Sequence, residues 1–235
     1  MKVLLTRPEG RNQAMVEQLT QRGIAHLVTP IIEVVSSNIV PSEAGLNHAD
    51  IMIFISTNAV SHAANLCKLP THCQNYAVGQ ATFDALSALG IQAEQAPIDA
   101  QDSEGLLSLS SLASIEGKSV IIVRGNGGRE TLAEQLKHRG AKVDYWESYV
   151  RKAIDHKKPT VAKAWIDFGI DTVVVTSGEI LANLVNLLTK EQFAWLRSCH
   201  IIVPSTRVKE QALQLGLDNI SNANGASTQA ILAHI

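Results

Sequence analysis

The chain has 235 residues, 46% hydrophobic and 18% charged, with 20 Lys and Arg against 22 Asp and Glu for a formal net charge of −2. That length holds one large domain or two of about 115 residues, and either can bury a core. The balance excludes the clustered basic surface of a nucleic-acid binder, the most concentrated basic pair being Lys157-Lys158. No stretch approaches the ~20 apolar residues of a membrane span. Arg7, Pro8, Glu9 and Arg11 follow the first apolar run directly, so no signal peptide fits. Cys67, Cys73 and Cys199 are sparse, odd in number and without CxxC spacing, which fits reduced thiols in the cytoplasm rather than disulfides or a zinc site.

In chain order, Val3-Leu4-Leu5 reads as a buried strand, followed by a helical pattern that stops at Gly23 and a strand-like segment at 25–29. A polar stretch, 36–42, precedes the next apolar run at 51–55, which ends in Ser56-Thr57-Asn58. Val78-Gly79-Gln80-Ala81-Thr82 then opens a helix that stops at Gly90. A fourth run at 120–123 leads into Arg124-Gly125-Asn126-Gly127-Gly128-Arg129-Glu130, a helix stopping at Gly140, and a strand-like segment at 142–146. A charged stretch at 151–159 comes before the strand at 173–175 and the string Thr176-Ser177-Gly178-Glu179, which has capping-box spacing. Leu181, Leu184, Val185 and Leu188 then lie at helical spacing as one apolar stripe. The last strand, 201–203, runs into Val203-Pro204-Ser205-Thr206-Arg207 and a helix that stops at Gly216. Glycine after a helix accepts the left-handed conformation that ends it. Strand–helix alternation of this kind predicts doubly wound α/β architecture with mostly parallel sheets.

The chain also repeats itself. Residues 3–23 match 120–140 at one constant offset, with Arg7 on Arg124, Gly10 on Gly127, Glu17 on Glu134 and Gly23 on Gly140. Downstream, 55–57 matches 175–177, 89–91 matches 215–217 and 103–107 matches 227–231. The period is far too long for a solenoid and implies two similar α/β halves, between which a ligand is the natural hypothesis. The polar stretch at 36–42 comes too early to close a domain. The economical solution is a chain that starts one domain, crosses, completes the other and returns. Domain one is then 1–36 plus 153–235 and domain two 40–150, with linkers at about 37–39 and 151–152 acting as a double hinge.

Each motif has two readings. The glycine turn at 124–130 can be a tight strand-to-helix connection, or its unpaired N–H groups can hold an anion. It is neither GxxxxGK[ST] nor GxGxxG, so a nucleotide is disfavoured. Ser56-Thr57 and Thr176-Ser177 either cap helices or meet a ligand at the carboxyl edge of a sheet. No HExxH, GxSxG or SxxK string occurs, and the eight dispersed histidines look mostly surface-exposed, with no metal role.

The set LLTRP (4–8), FISTNAV (54–60), AVGQAT (77–82), SEGLL (103–107), IIVRGNGGRETL (121–132), Tyr149-Val150-Arg151, VVVTSGEIL (173–181) and STRVKEQALQLGL (205–217) resembles the uroporphyrinogen-III synthase family in that order. One departure is Val203-Pro204-Ser205-Thr206-Arg207, where many members carry a GPTTA-like string. The resemblance implies two flavodoxin-like domains joined by a two-stranded linker, in a cytoplasmic monomer in transient contact with the preceding pathway enzyme. It also implies cyclisation of the linear tetrapyrrole hydroxymethylbilane, with inversion of its last ring and no cofactor. By matching position it places substrate contacts at Thr6, Arg7, Ser56, Thr57, Gly79, Thr82, Arg124, Gly125, Asn126, Gly127, Thr176, Ser177, Ser205 and Arg207, and a proton donor at Tyr149. A bilobal binding module without catalysis fits the same architecture and remains the rival.

Overall fold

The computed structural model describes residues 1–128, 130–156 and 160–235. Arg129 of the glycine turn, and Lys157, Lys158 and Pro159 of the charged stretch, lie outside the described residues. In chain order the elements are β1 (Lys2–Leu5), α1 (Gln13–Gln21), β2 (Ala25–Val28), β3 (Ile32–Ser36), α2 (Glu43–Asn47), β4 (Ile51–Phe54), α3 (Thr57–Leu66), β5 (Gln74–Ala77), α4 (Gln80–Ala88), β6 (Glu94–Gln95) and α5 (Ser103–Leu107). There follow β7 (Ser119–Gly125), α6 (Thr131–His138), β8 (Lys142–Ala153), α7 (Thr160–Phe168), β9 (Thr172–Val174), α8 (Gly178–Asn186), α9 (Lys190–Ser198), β10 (His200–Val203), α10 (Thr206–Gln214), β11 (Ile220–Asn222) and α11 (Thr228–Leu232).

Two compact units result: residues 1–33 with 152–235, and residues 34–151. The chain passes from the first to the second inside β3 and returns inside β8, so residues 37–39 belong to unit 2. In unit 1 the sheet order is β11-β10-β9-β1-β2, every neighbouring pair parallel. Val3 and Leu5 face α1 and α11, while Leu4, Val173 and Ile201 face α7–α10, so alternate residues feed two cores. In unit 2 the order is β3-β8-β7-β4-β5-β6. Met52, Phe54, Ile121 and Val123 pack toward α3 and α4, and Ile51, Ile53, Val120 and Ile122 toward α5 and α6. Burial on both faces explains the unbroken apolar runs in the sequence.

The register refines the repeat. Val3 of β1 pairs Thr172, and its counterpart Val120 of β7 pairs Ile51. Thr172 therefore corresponds to Ile51, and Ser177 to Ser56, one residue away from the alignment by letter. The caps agree, since Ser56 begins α3 and Ser177 begins α8 in extended backbone. Gly79 likewise corresponds to Ser205, and Asp102 and Ser227 match as the caps of the following helices, all four being helix N-caps. The expected box at Thr176–Glu179 is not formed: Ser177 is the cap and accepts from Ile180 N–H. A reciprocal capping box occurs instead at Thr189 and Gln192. Gly23, Gly90, Gly140 and Gly216 each follow a helix with positive φ, between 65° and 84°.

Candidate functional site

Both sheets end in loops at the carboxyl edge, where open α/β sheets collect ligands. In unit 2 this edge holds most of the expected residues. A β-bulge shifts the β7–β8 register, Arg124 opposing Glu147 but Gly125 opposing Tyr149. Strict alternation would put Tyr149 on the face of Tyr145. The extra residue moves it instead into the core that contains Trp146. There Tyr149 is 4% exposed, stacks on His62 with ring centroids 5.6 Å apart, and brings its hydroxyl 3.2 Å from Ser56 Oγ. Ser36 Oγ in turn lies 2.9 Å from His62 Nδ1. Gly125 makes room for the ring, since a Cβ there would sit 2.4 Å from it.

The glycine turn wraps a buried guanidinium. Arg124 donates from Nε to Gly127 O (3.1 Å) and from Nη1 to Glu130 Oε1 (3.1 Å), and lies 4.3 Å from the Tyr145 ring centre. Of the turn's two readings, open amides are not what Asn126 and Gly127 present. Asn126 N–H donates to Tyr149 O (2.9 Å) and Gly127 N–H to Glu147 Oε1 (3.1 Å), while Asn126 Nδ2 reaches Glu147 Oε2 (3.1 Å). Glu147 lies on β8 opposite Arg124, close enough for its carboxylate to fill the place anticipated for an anion. Beside the turn is a cavity of about 240 Å³, walled by Ile55, Val78, Ile122 and Leu132, with Asp102, Ser103, Arg124 and Tyr145 as its polar members.

Unit 1 has a wider pocket of about 700 Å³ at the equivalent loop, lined by Arg7, Pro8, Gly10, Arg11, Gln13 and Thr176 among others. Arg7 donates to Ala226 O and Arg11 O, and its burial lowers its pKa. Thr6 is fully buried, its hydroxyl donating to Val174 O (2.6 Å) and tying β1 to β9. Ser177 and Ser205 are engaged as caps, accepting from Ile180 N–H and Val208 N–H. Gly79 caps α4, whose Gln80 N–H is taken by Gln101 Oε1 (3.0 Å). Thr57 begins α3, Thr82 is buried within α4, and Arg207 is exposed on α10; none of these three lines either pocket.

Sequence reasoning missed Tyr145, Glu147 and His62. Tyr145 and Glu147 alternate along one strand, and that period-two signal was available. Nothing in the sequence announced the bulge that carries Tyr149 to His62. The histidines are less exposed than expected: His26, His62, His156, His200 and His234 are half-buried. Among the described residues no group of three or more His, Cys, Asp or Glu is placed to hold a metal ion, and no helix is long and apolar enough to cross a membrane.

The model of the family described as uroporphyrinogen-III synthase HemD matches residues 13–233. The uroporphyrinogen-III synthase of Salmonella typhimurium is 36% identical over 243 aligned positions, covering 99% of this chain and 98% of that protein. That of Escherichia coli is 34% identical with the same coverage. Among solved structures, uroporphyrinogen-III synthetase from Helicobacter pylori superimposes with a TM-score of 0.67 at 16% identity, over 99% of this chain and 96% of that one. A mutant uroporphyrinogen III synthase from Thermus thermophilus does so with 0.61 at 14%, over 100% and 97%. At those identities the structures speak for the fold, and the family model and the end-to-end relatives for the lineage. The chain belongs to the uroporphyrinogen-III synthase family.

Proposed function

We infer that the chain is a cyclising hydro-lyase that converts hydroxymethylbilane to uroporphyrinogen III and water. The observation that carries this reading is the 36% identity, end to end, with the Salmonella synthase. In the reaction the terminal hydroxyl leaves with a proton and a pyrrole N–H loses one, giving an azafulvene. The substituted carbon of ring D attacks the exocyclic carbon and forms a spiro intermediate. Cleavage of the old bond to ring D and reclosure through its other α-carbon, with loss of that carbon's proton, leave ring D inverted. Water is the only other product.

Spontaneous closure at the free α-carbon gives the symmetrical isomer, so the protein's task is to orient a reactive intermediate. Tyr149 is proposed to deliver the proton to the departing hydroxyl, with Ser56 Oγ holding the phenolic oxygen. Thr57 and Gly79 in unit 2, and Arg7, Thr176, Ser205 and Arg207 in unit 1, are proposed to meet the substrate's carboxylates. The loop of Asn126 and Gly127, whose polar groups Glu147 already holds, is proposed to face the substrate, and buried Thr82 and the cap Ser177 to set their own helix starts. Thr6 and Gly125 contribute by placing the strands and ring beside them. Helix starts favour negative charge locally even though the chain's net charge is −2. We further propose that the enzyme works in the cytoplasm as a monomer without a cofactor, taking its substrate from the enzyme that makes it. Freshly generated bilane, incubated with the purified protein and oxidised, should yield the type III porphyrin in excess. Only type I, formed at the spontaneous rate, would overturn the reading.

A further inference from the structure

Arg124 is 3% exposed, an unusual position for a guanidinium, and its contacts go to its own loop and to the residues beside it. Nε donates to Gly125 O and Gly127 O, Nη1 to Glu130, and the plane lies over Tyr145. Tyr145 closes the circuit by donating its hydroxyl to the second oxygen of Glu130. The loop folds tightly around the fork: a Cβ on Gly128, where φ is +125°, would come within 3.2 Å of Nη2. We propose that Glu130 and Tyr145 act through Arg124 as positioning residues that set the shape of the glycine loop 125–128, with Arg124 a brace rather than a ligand of the substrate.

A planar, rigid fork suits this role, because it meets a carboxylate and backbone carbonyls in fixed directions while stacking on a ring, which an ammonium does not. The two partners support each other's state. Glu130 is held below the usual carboxylate range by the Tyr145 hydroxyl and then by Arg124, and burial followed by Glu130 pushes the Tyr145 hydroxyl up to about 12. The negative end of the brace also sits at the N-cap of α6, where helix polarity favours it. With the loop fixed, the backbone that carries Asn126 and Gly127 keeps its place opposite Glu147 and Tyr149.

The inference rests on the reading that this loop faces the substrate, and the test separates the two. Full-length R124K, E130Q and Y145F would be followed by deuterium uptake in the peptide 121–133, and by kcat, KM and the III:I isomer ratio. R124K and E130Q should speed uptake in that peptide about tenfold and leave other peptides unchanged. Y145F, which keeps the ring under the guanidinium, should speed it about threefold. In all three KM should rise more than kcat falls, with a larger share of isomer I, and E130D should recover part of the loss. Unchanged uptake in E130Q and Y145F would overturn the brace, and so would a KM defect confined to R124K. A wild-type protein that forms only isomer I would instead remove the functional reading, while the exchange data still decide the brace.

Discussion

Substituting Gly125 by Ala tests the geometry around Tyr149 without backbone strain, since Gly125 is not among the residues with positive φ. The new Cβ would stand 2.4 Å from Tyr149 Cε2 and 2.6 Å from Cζ. Carbon atoms prefer about 3.5–4.0 Å, so the ring must retreat by more than ~1 Å. Its retreat is opposed by the His62 ring, stacked at 5.6 Å, and by a core in which Tyr149 is 4% exposed. Overpacking of this kind costs about 1–3 kcal/mol, and loss of the 3.2 Å contact with Ser56 adds ~1. A total of about 2–4 kcal/mol should lower the melting transition of unit 2 by roughly 6–15 °C in calorimetry. Turnover should fall about a hundredfold if the phenol is the proton donor, because an ångström of displacement is enough for that. The double variant G125A/Y149A decides the cause. Removing the ring removes the clash, so its stability loss should be well short of the sum of the single losses. Additive losses, or a G125A melt within a degree of wild type, would refute the reasoning.

Ser177→Ala removes the cap of α8 and should cost ~1 kcal/mol, seen as a melt lower by a few degrees with KM nearly unchanged. A raised KM at unchanged stability would make Ser177 a ligand instead. Tyr145, with its folded pKa raised to about 12, favours the folded state in its protonated form. That contribution is complete below about pH 10, where the free phenol titrates, and disappears as pH rises through 12. The alkaline loss of stability should therefore be shallower in Y145F, and a spectrophotometric titration of wild type should lose its last-titrating phenol in that variant. Unit 2 is continuous in sequence and has its own cores, so a 34–151 fragment should melt cooperatively, as followed by circular dichroism. A fragment without a transition would show that unit 2 depends on the rest of the chain.

What the sequence disclosed was whatever burial writes into composition. The strands at 51–54, 119–125, 172–174 and 200–203 are covered on both faces, so their apolar runs were plain, and the glycines after α1, α4, α6 and α10 marked helix ends. The details that decide the site left weaker traces. Letter matching paired Ser56 with Thr176, because both are hydroxyl residues beside an apolar run. Backbone pairing sets the frame one residue later, on Ser177. The bulge beside Ser148 has no glycine to advertise it, yet it alone puts Tyr149 on the same face as Trp146. Which of the glycine turn's two readings holds at Asn126 and Gly127 was not legible, because Glu147, twenty residues away from the loop in sequence, reaches them across the sheet.

The repeat and the units do not coincide, and the mismatch explains the discontinuous chain. Matched by register, β1, β2, β9, β10 and β11 correspond to β7, β8, β4, β5 and β6. Both sheets then contain the flavodoxin order 2-1-3-4-5, to which unit 2 adds β3 at the edge beside β8. Unit 1 takes its first two strands from the first copy and the other three from the second; unit 2 does the reverse. Each copy must therefore leave its partner strands just after its second strand, exposing the backbone of a crossing segment. The two crossings meet that demand together. Ile154 N–H donates to Ile31 O and Ser37 N–H to Ser148 O, so positions run in opposite directions and the segments pair as an antiparallel ribbon. Backbone groups that either crossing would leave open on its own are satisfied by the other. Exchange of halves and the two-stranded connection are thus one structural solution, and a proline at Ser37, which would delete one of those N–H groups, strikes both crossings at once.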